Sequence, residues 1–95
     1  MPQTTLSPTP LFDLGEVRIT PGAEAILSPA EIVRLLHRHQ HGEYGDLDEA
    51  DIAMNNRGAS RCCMVMSAYR SANGTEVWVK THGTRSHTLI MLPGE

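Results

Sequence analysis

The sequence predicts an α+β domain: a short N-terminal strand, two to three helices, then a three-stranded antiparallel meander, with the helices packed on one face of the sheet. Three observations predict it. Capped segments with apolar residues at helical spacing fill the region before Gly58. After Gly58 the period shortens to that of strands. Asn73-Gly74 then supplies the strongest short hairpin signal in the chain.

Taken in order, residues 1–10 are rich in Pro, Thr and Ser and read as a disordered leader. They contain no apolar run that would make a signal peptide or a membrane span. Residues 11–95 read as one small domain. Gly15-Glu16-Val17-Arg18-Ile19-Thr20 alternates polar and apolar, as a half-buried strand does. Thr20 can cap a short helix over 21–27, with Pro21 at its first position. Ser28, Pro29 and Glu31 form a capping-box signature for a second helix, whose apolar face is Ile32, Val33, Leu35 and Leu36. Gly42 stops it. A third helix is expected from Asp48, with Leu47 and Ile52 as a hydrophobic staple and Asp51 at the capping-box site.

Strands are expected over 62–69, 76–81 and 88–92. A two-residue turn at Asn73-Gly74 pairs Tyr69 with Trp78 and Ala68 with Val79. That register puts Met64, Met66, Ala68, Val77 and Val79 on one face, and Tyr69 and Trp78 together on the other.

Composition narrows the function classes. A net charge of −3 lacks the basic stripe that general nucleic-acid binding needs. Cys62 and Cys63 are adjacent, so on a strand they point to opposite faces and form no disulfide framework. They read as reduced thiols of a cytoplasmic protein. No glycine-rich phosphate loop, cofactor motif or complete catalytic motif is present, and the expected catalytic set is empty, with no cofactor.

The acidic segment is the main site candidate. Five of the eleven acidic residues fall in the nine positions 43–51, with no Lys or Arg among them. Asp48 and Asp51 are explained by capping. Glu43, Asp46 and Glu49 are not, and with Tyr44 as an amphipathic anchor they form a candidate docking surface for a basic partner. The bland alternative is a solvated loop with carboxylates at a helix N-terminus. Tyr69 and Trp78, flanked by Arg70 and Lys80, form a second candidate contact surface; the alternative is that this face is the core or is covered by the N-terminal segment, since a one-residue slip of register swaps the faces. His37 and His41 lie four apart on one helix and are candidate metal ligands. Their simpler role is at the negative pole of the helix.

Several motifs occur together in a fixed order. They are Thr20-Pro21-Gly22-Ala23 after a short strand, Arg38-His39-x-x-Gly42-x-Tyr44-Gly45-Asp46-Leu47, Asp51-x-x-x-Asn55, Ser67-Ala68-Tyr69 before a hairpin, Val77-Trp78-Val79, and Arg85-Ser86-x-Thr88 leading to Leu92-Pro93. In this order they resemble a family of small bacterial proteins carried on plasmids and integrated mobile elements, some labelled as type I restriction-related. The resemblance covers about residues 14–93. It implies a mobile-element cargo protein that acts on host defence by binding restriction or CRISPR machinery. Ninety-five residues cannot hold a methyltransferase cofactor domain.

The expected function is therefore a non-enzymatic, protein-binding inhibitor or modulator, anti-CRISPR or antirestriction in setting. Its acidic loop would occupy a basic surface of a host or defence-system protein, with no direct contact to nucleic acid or membrane. The alternatives are a homodimeric structural or regulatory module and a metal- or thiol-dependent enzyme.

Overall fold

A computed structural model describes residues 10–46 and 64–95. The expected helix from Asp48, the staple of Leu47 and Ile52, Glu49, and the adjacent Cys62 and Cys63 all lie outside the described residues.

The element order is β1 (Glu16–Ile19), α1 (Pro21–Ile26), α2 (Pro29–Gln40), β2 (Val65–Arg70), β3 (Glu76–Thr81) and β4 (His87–Met91). The α+β class is as the sequence predicts. The sheet is larger than a three-stranded meander: four strands in the order β1-β4-β3-β2. β2, β3 and β4 run antiparallel, and β1 lies parallel to β4. The cause is the exit from β1. Thr20 caps α1 directly, so the chain leaves the sheet through helices and cannot pair with β1 by a hairpin.

Both predicted caps form. Thr20 Oγ1 accepts from the Ala23 N–H. The Ser28 capping box is complete, with Glu31 N–H donating to Ser28 Oγ and Ser28 N–H donating to Glu31 Oε1, each at 3.1 Å. The second Glu31 oxygen accepts from the Ala72 N–H at 3.0 Å, so the cap also ties α2 to the β2–β3 turn. These amide donors hold the Glu31 carboxyl below its ordinary range. Ser28→Ala should cost about 1 kcal/mol in urea unfolding, the usual value of such a cap.

The β2–β3 turn corrects the expected register. Arg70 pairs with Glu76, Tyr69 with Val77 and Ala68 with Trp78. The loop is not a two-residue turn. Gly74 N–H donates to Ser71 O and Ser71 N–H donates to Thr75 O, each at 2.9 Å, with Gly74 at φ +86°. This is a three-residue loop in which a type I turn is followed by a left-handed glycine. Only the glycine has positive φ, and Asn73 instead accepts from the Thr75 N–H through its side chain.

One residue of slip exchanges the faces. Val65, Ser67 and Tyr69 share the helix-covered face with Val77, Val79 and Thr81, and all six are buried. Ala68, Trp78 and Lys80 lie on the opposite face, so Tyr69 and Trp78 are not neighbours on one surface.

The main core gathers Ala23 and Leu27 of the α1 region, Leu35 of α2, and Tyr69, Val77, Val79 and Ile90 of the sheet. A second cluster, Phe12, Tyr44 and Val65 with Leu14 against it, closes one end. Residues 44–46 run along the outer edge of β2. Ala68 N–H donates to Tyr44 O at 3.1 Å and Asp46 N–H to Ala68 O at 2.8 Å.

Candidate functional site

Between the two apolar clusters lies a row of buried polar side chains from α2, β2, β3 and β4. His39, Ser67, Thr81 and Thr88 are all fully buried. His39 Nδ1 is 2.5 Å from Ser67 Oγ, and Nε2 is 2.9 Å from Thr81 Oγ1. Thr81 Oγ1 is 2.7 Å from Thr88 Oγ1, which donates to Leu14 O at 2.8 Å.

The protons in this row can be assigned from one end. A carbonyl only accepts, so the single hydroxyl proton of Thr88 goes to Leu14 O. Thr81 must then donate to Thr88, and having one proton it must accept from His39 Nε2–H. A neutral imidazole carries one N–H, so Nδ1 is an acceptor and Ser67 donates to it. Every group is satisfied with His39 neutral. Burial, with the Arg85 charge adding to it, pushes the imidazole down from 6.5 to about 3.

A serine hydroxyl donating to a histidine nitrogen is also the first half of a hydrolytic triad. Here both groups are 0% exposed. The second nitrogen is held by a threonine chain, not by a carboxylate. The arrangement organises the core, and Ser67 Oγ has no path to a substrate in solution.

Sequence reasoning singled out His37 and His41 and passed over His39. A signal was present: 39 follows 32, 35 and 36 by seven, four and three positions, which places it on the apolar stripe of α2. His37 and His41 stack with centroids 4.1 Å apart, and His41 Nδ1 donates to His37 O at 2.7 Å, a helix C-terminal role. Among the described residues, no group of three or more His, Cys, Asp or Glu is arranged to hold a metal ion.

The described part of the acidic segment, residues 43–46, is largely built into the fold. The Glu43 carboxylate pairs with Arg38 and accepts from the Gly45 N–H at 3.0 Å, while its carbonyl accepts from Tyr69 OH at 2.5 Å. Arg38 in turn lies over the Tyr69 ring, 4.6 Å from its centroid. Tyr44, expected as a surface anchor, is only 2% exposed and packs with Phe12 and Val65. Its apolar body outweighed the charged flanks, because the backbone of 44–46 is pinned to β2 with the ring turned inward. Its hydroxyl is buried without a hydrogen-bond partner among the described residues, and burial raises its pKa. Tyr69, at 1% exposure, is likewise core, and burial raises its pKa too. Neither tyrosine can present its ring to a partner. Asp46 is exposed, 3.5 Å from Arg70 Nε.

Trp78 lies on the sheet face away from α1 and α2, and is half-buried between Ala68 of β2 and Met91 of β4. Its Nε1–H donates to Glu76 Oε2 at 2.9 Å, and Lys80 Nζ sits 5.2 Å from the ring centroid. The indole N–H is therefore tied to the carboxylate of its own strand, with the ammonium lying over the ring. Met64, at 57% exposure, precedes β2, the neighbouring strand.

Among the described residues, no helix is long and apolar enough to cross a membrane. No protein-family model matches the chain, and neither a curated protein nor a solved structure is similar to it.

Proposed function

We propose that the protein is a non-enzymatic binding module that contacts another protein through the sheet face centred on Trp78, with Asp46 at its rim. The observation that carries this reading is the held indole: Glu76 fixes its N–H and Lys80 lies by its ring, on the face opposite α1 and α2. A large amphipathic ring that is already ordered loses little entropy on binding, which is why tryptophan dominates contact energetics. Asp46, exposed beside β2, favours a partner with a basic surface. The motif resemblance adds the setting: a mobile-element inhibitor or modulator whose partner belongs to a host defence system, such as restriction or CRISPR machinery. Tyr44 and Tyr69 take no part in this contact, because both are buried.

Trp78 is the single tryptophan, so its fluorescence reports directly on this face. Affinity capture from a bacterial host lysate, followed by titration of the captured protein, tests the proposal. Binding should shift the emission. Trp78→Ala should weaken binding by about tenfold or more, the usual effect of truncating a contact hot spot. Asp46→Asn should mainly slow association and reduce its salt dependence. A folded Trp78→Ala variant that binds as tightly as the wild type would refute the reading.

A further inference from the structure

We infer that the free edge of β1 is a self-association surface, and that its occupant is β1 of a second copy, running antiparallel about a twofold axis at Val17. This goes beyond the Trp78 contact face and does not rest on it.

The two edges of the sheet differ. At the β2 edge, residues 44–46 of the same chain bridge to Ala68. Among the described residues, nothing pairs with the outer edge of β1. Glu16 N–H donates to Ser86 O and Thr20 N–H to Ile90 O, each at 3.0 Å. Even-numbered backbone groups thus face β4, and those of Val17 and Ile19 face outward. Val17 is 42% exposed, unusual for an apolar residue on the helix side of the sheet. An open edge of this kind is a template for another strand.

Charge selects the occupant and the register. Glu16 and Arg18 alternate on one face, pair with each other, and are well exposed. With Val17 opposite Val17 of the second copy, the two valines exchange both outward backbone hydrogen bonds. Glu16 of each copy then lies opposite Arg18 of the other, giving two symmetric opposite-charge pairs. The neighbouring antiparallel registers that keep the outward groups paired put Arg18 opposite Arg18, or Glu16 opposite Glu16. Like charges directly opposite are unfavourable, so those registers are disfavoured. Four residues with this pattern are self-complementary in one alignment.

The product is a continuous eight-stranded sheet with closed isologous symmetry. Its two Trp78 rings lie on the same face across five strand spacings, about 24 Å at the usual interstrand distance. The dimer would present the Trp78 surface twice, gaining avidity for a symmetric or repeating partner.

The test is sedimentation equilibrium of the full chain at concentrations up to the order of 1 mM, the range in which a small interface shows itself. Wild type should self-associate as a dimer. Glu16→Arg alone, or Arg18→Glu alone, should weaken association by roughly tenfold or more, because attraction becomes repulsion at both symmetric pairs. The combined exchange, Glu16→Arg with Arg18→Glu, should restore it. Val17→Pro should abolish it. Proline is tolerated on an edge strand where the lost N–H faces solvent, so this variant should keep the fold by circular dichroism. Four results would each overturn the proposal: a wild-type monomer throughout the range, a dimer indifferent to the single reversals, a dimer that survives Val17→Pro, or a folded double exchange that stays monomeric. Trp78→Ala should leave the dimer intact, so failure of the contact-face proposal and failure of this one are separable.

Discussion

Between pH 6.5 and about 5 the folded protein should lose stability at up to about 1.4 kcal/mol per pH unit through His39 alone. The ordinary imidazole value is 6.5, and in the folded protein it falls to about 3. The unfolded chain therefore binds a proton across this window and the folded chain does not. Stability is full above 6.5 and falls as the pH drops, down to the folded value. The proton assignment gives the structural reason. Nδ1 already accepts from Ser67, and Nε2–H already donates to Thr81. A second imidazole proton would meet the Ser67 hydroxyl proton, and the added charge would be buried near Arg85.

Urea unfolding at a series of pH values checks this, compared with His39→Gln and His39→Leu. Gln can offer one acceptor and one donor, so it should lose about 1–2 kcal/mol at pH 7 while removing the His39 share of the slope. Leu leaves the Ser67 proton without an acceptor and should cost about 3 kcal/mol. A wild-type slope that persists unchanged in both variants would show that another group produces it.

Gly45→Ala should destabilise the protein by about 2–4 kcal/mol, lowering Tm by roughly 10–25 °C for a domain of this size. Gly45 has φ +76°, and an added Cβ would fall 2.0 Å from Ala68 O and 2.7 Å from Tyr69 Cδ1. Residues 44–46 would have to lift off β2, breaking both hydrogen bonds to Ala68 and withdrawing Tyr44 from its cluster. Gly74→Ala is the control. Its φ is +86°, but nothing lies within 4 Å of the added carbon. It should show only the conformational cost, about 1–2 kcal/mol. Equal losses in the two variants, by calorimetry, would mean that the close approach to Ala68 contributes nothing.

The acidic segment shows how local chemistry can mislead. A tyrosine between Glu43 and Asp46 reads as a surface anchor from sequence alone. The backbone pairing that turns it inward is with Ala68, far along the chain. Glu43 has a structural duty for the same reason, since its partners are Arg38, Gly45 and Tyr69. Asp46 keeps the exposure the docking idea needs.

The sequence by itself determined what is decided within a few residues. The Thr20 and Ser28 caps, the two helices they open, the strands from Val65 onward and a turn around Asn73-Gly74 were all legible. Capping and periodicity depend on neighbours less than a turn or a strand away, so local chemistry suffices. Only the tertiary structure decided the register, the buried face and the place of β1. Asn73-Gly74 satisfies a two-residue or a three-residue loop, because Gly74 takes positive φ in either. The choice falls to the packing of Tyr69 against Val77 and to the polar row from Ser67 to Thr88. These contacts join residues that are remote in sequence and were invisible until the strands were side by side. Side-chain alternation along a strand is local, but which of its two faces meets the helices is settled by such long-range contacts.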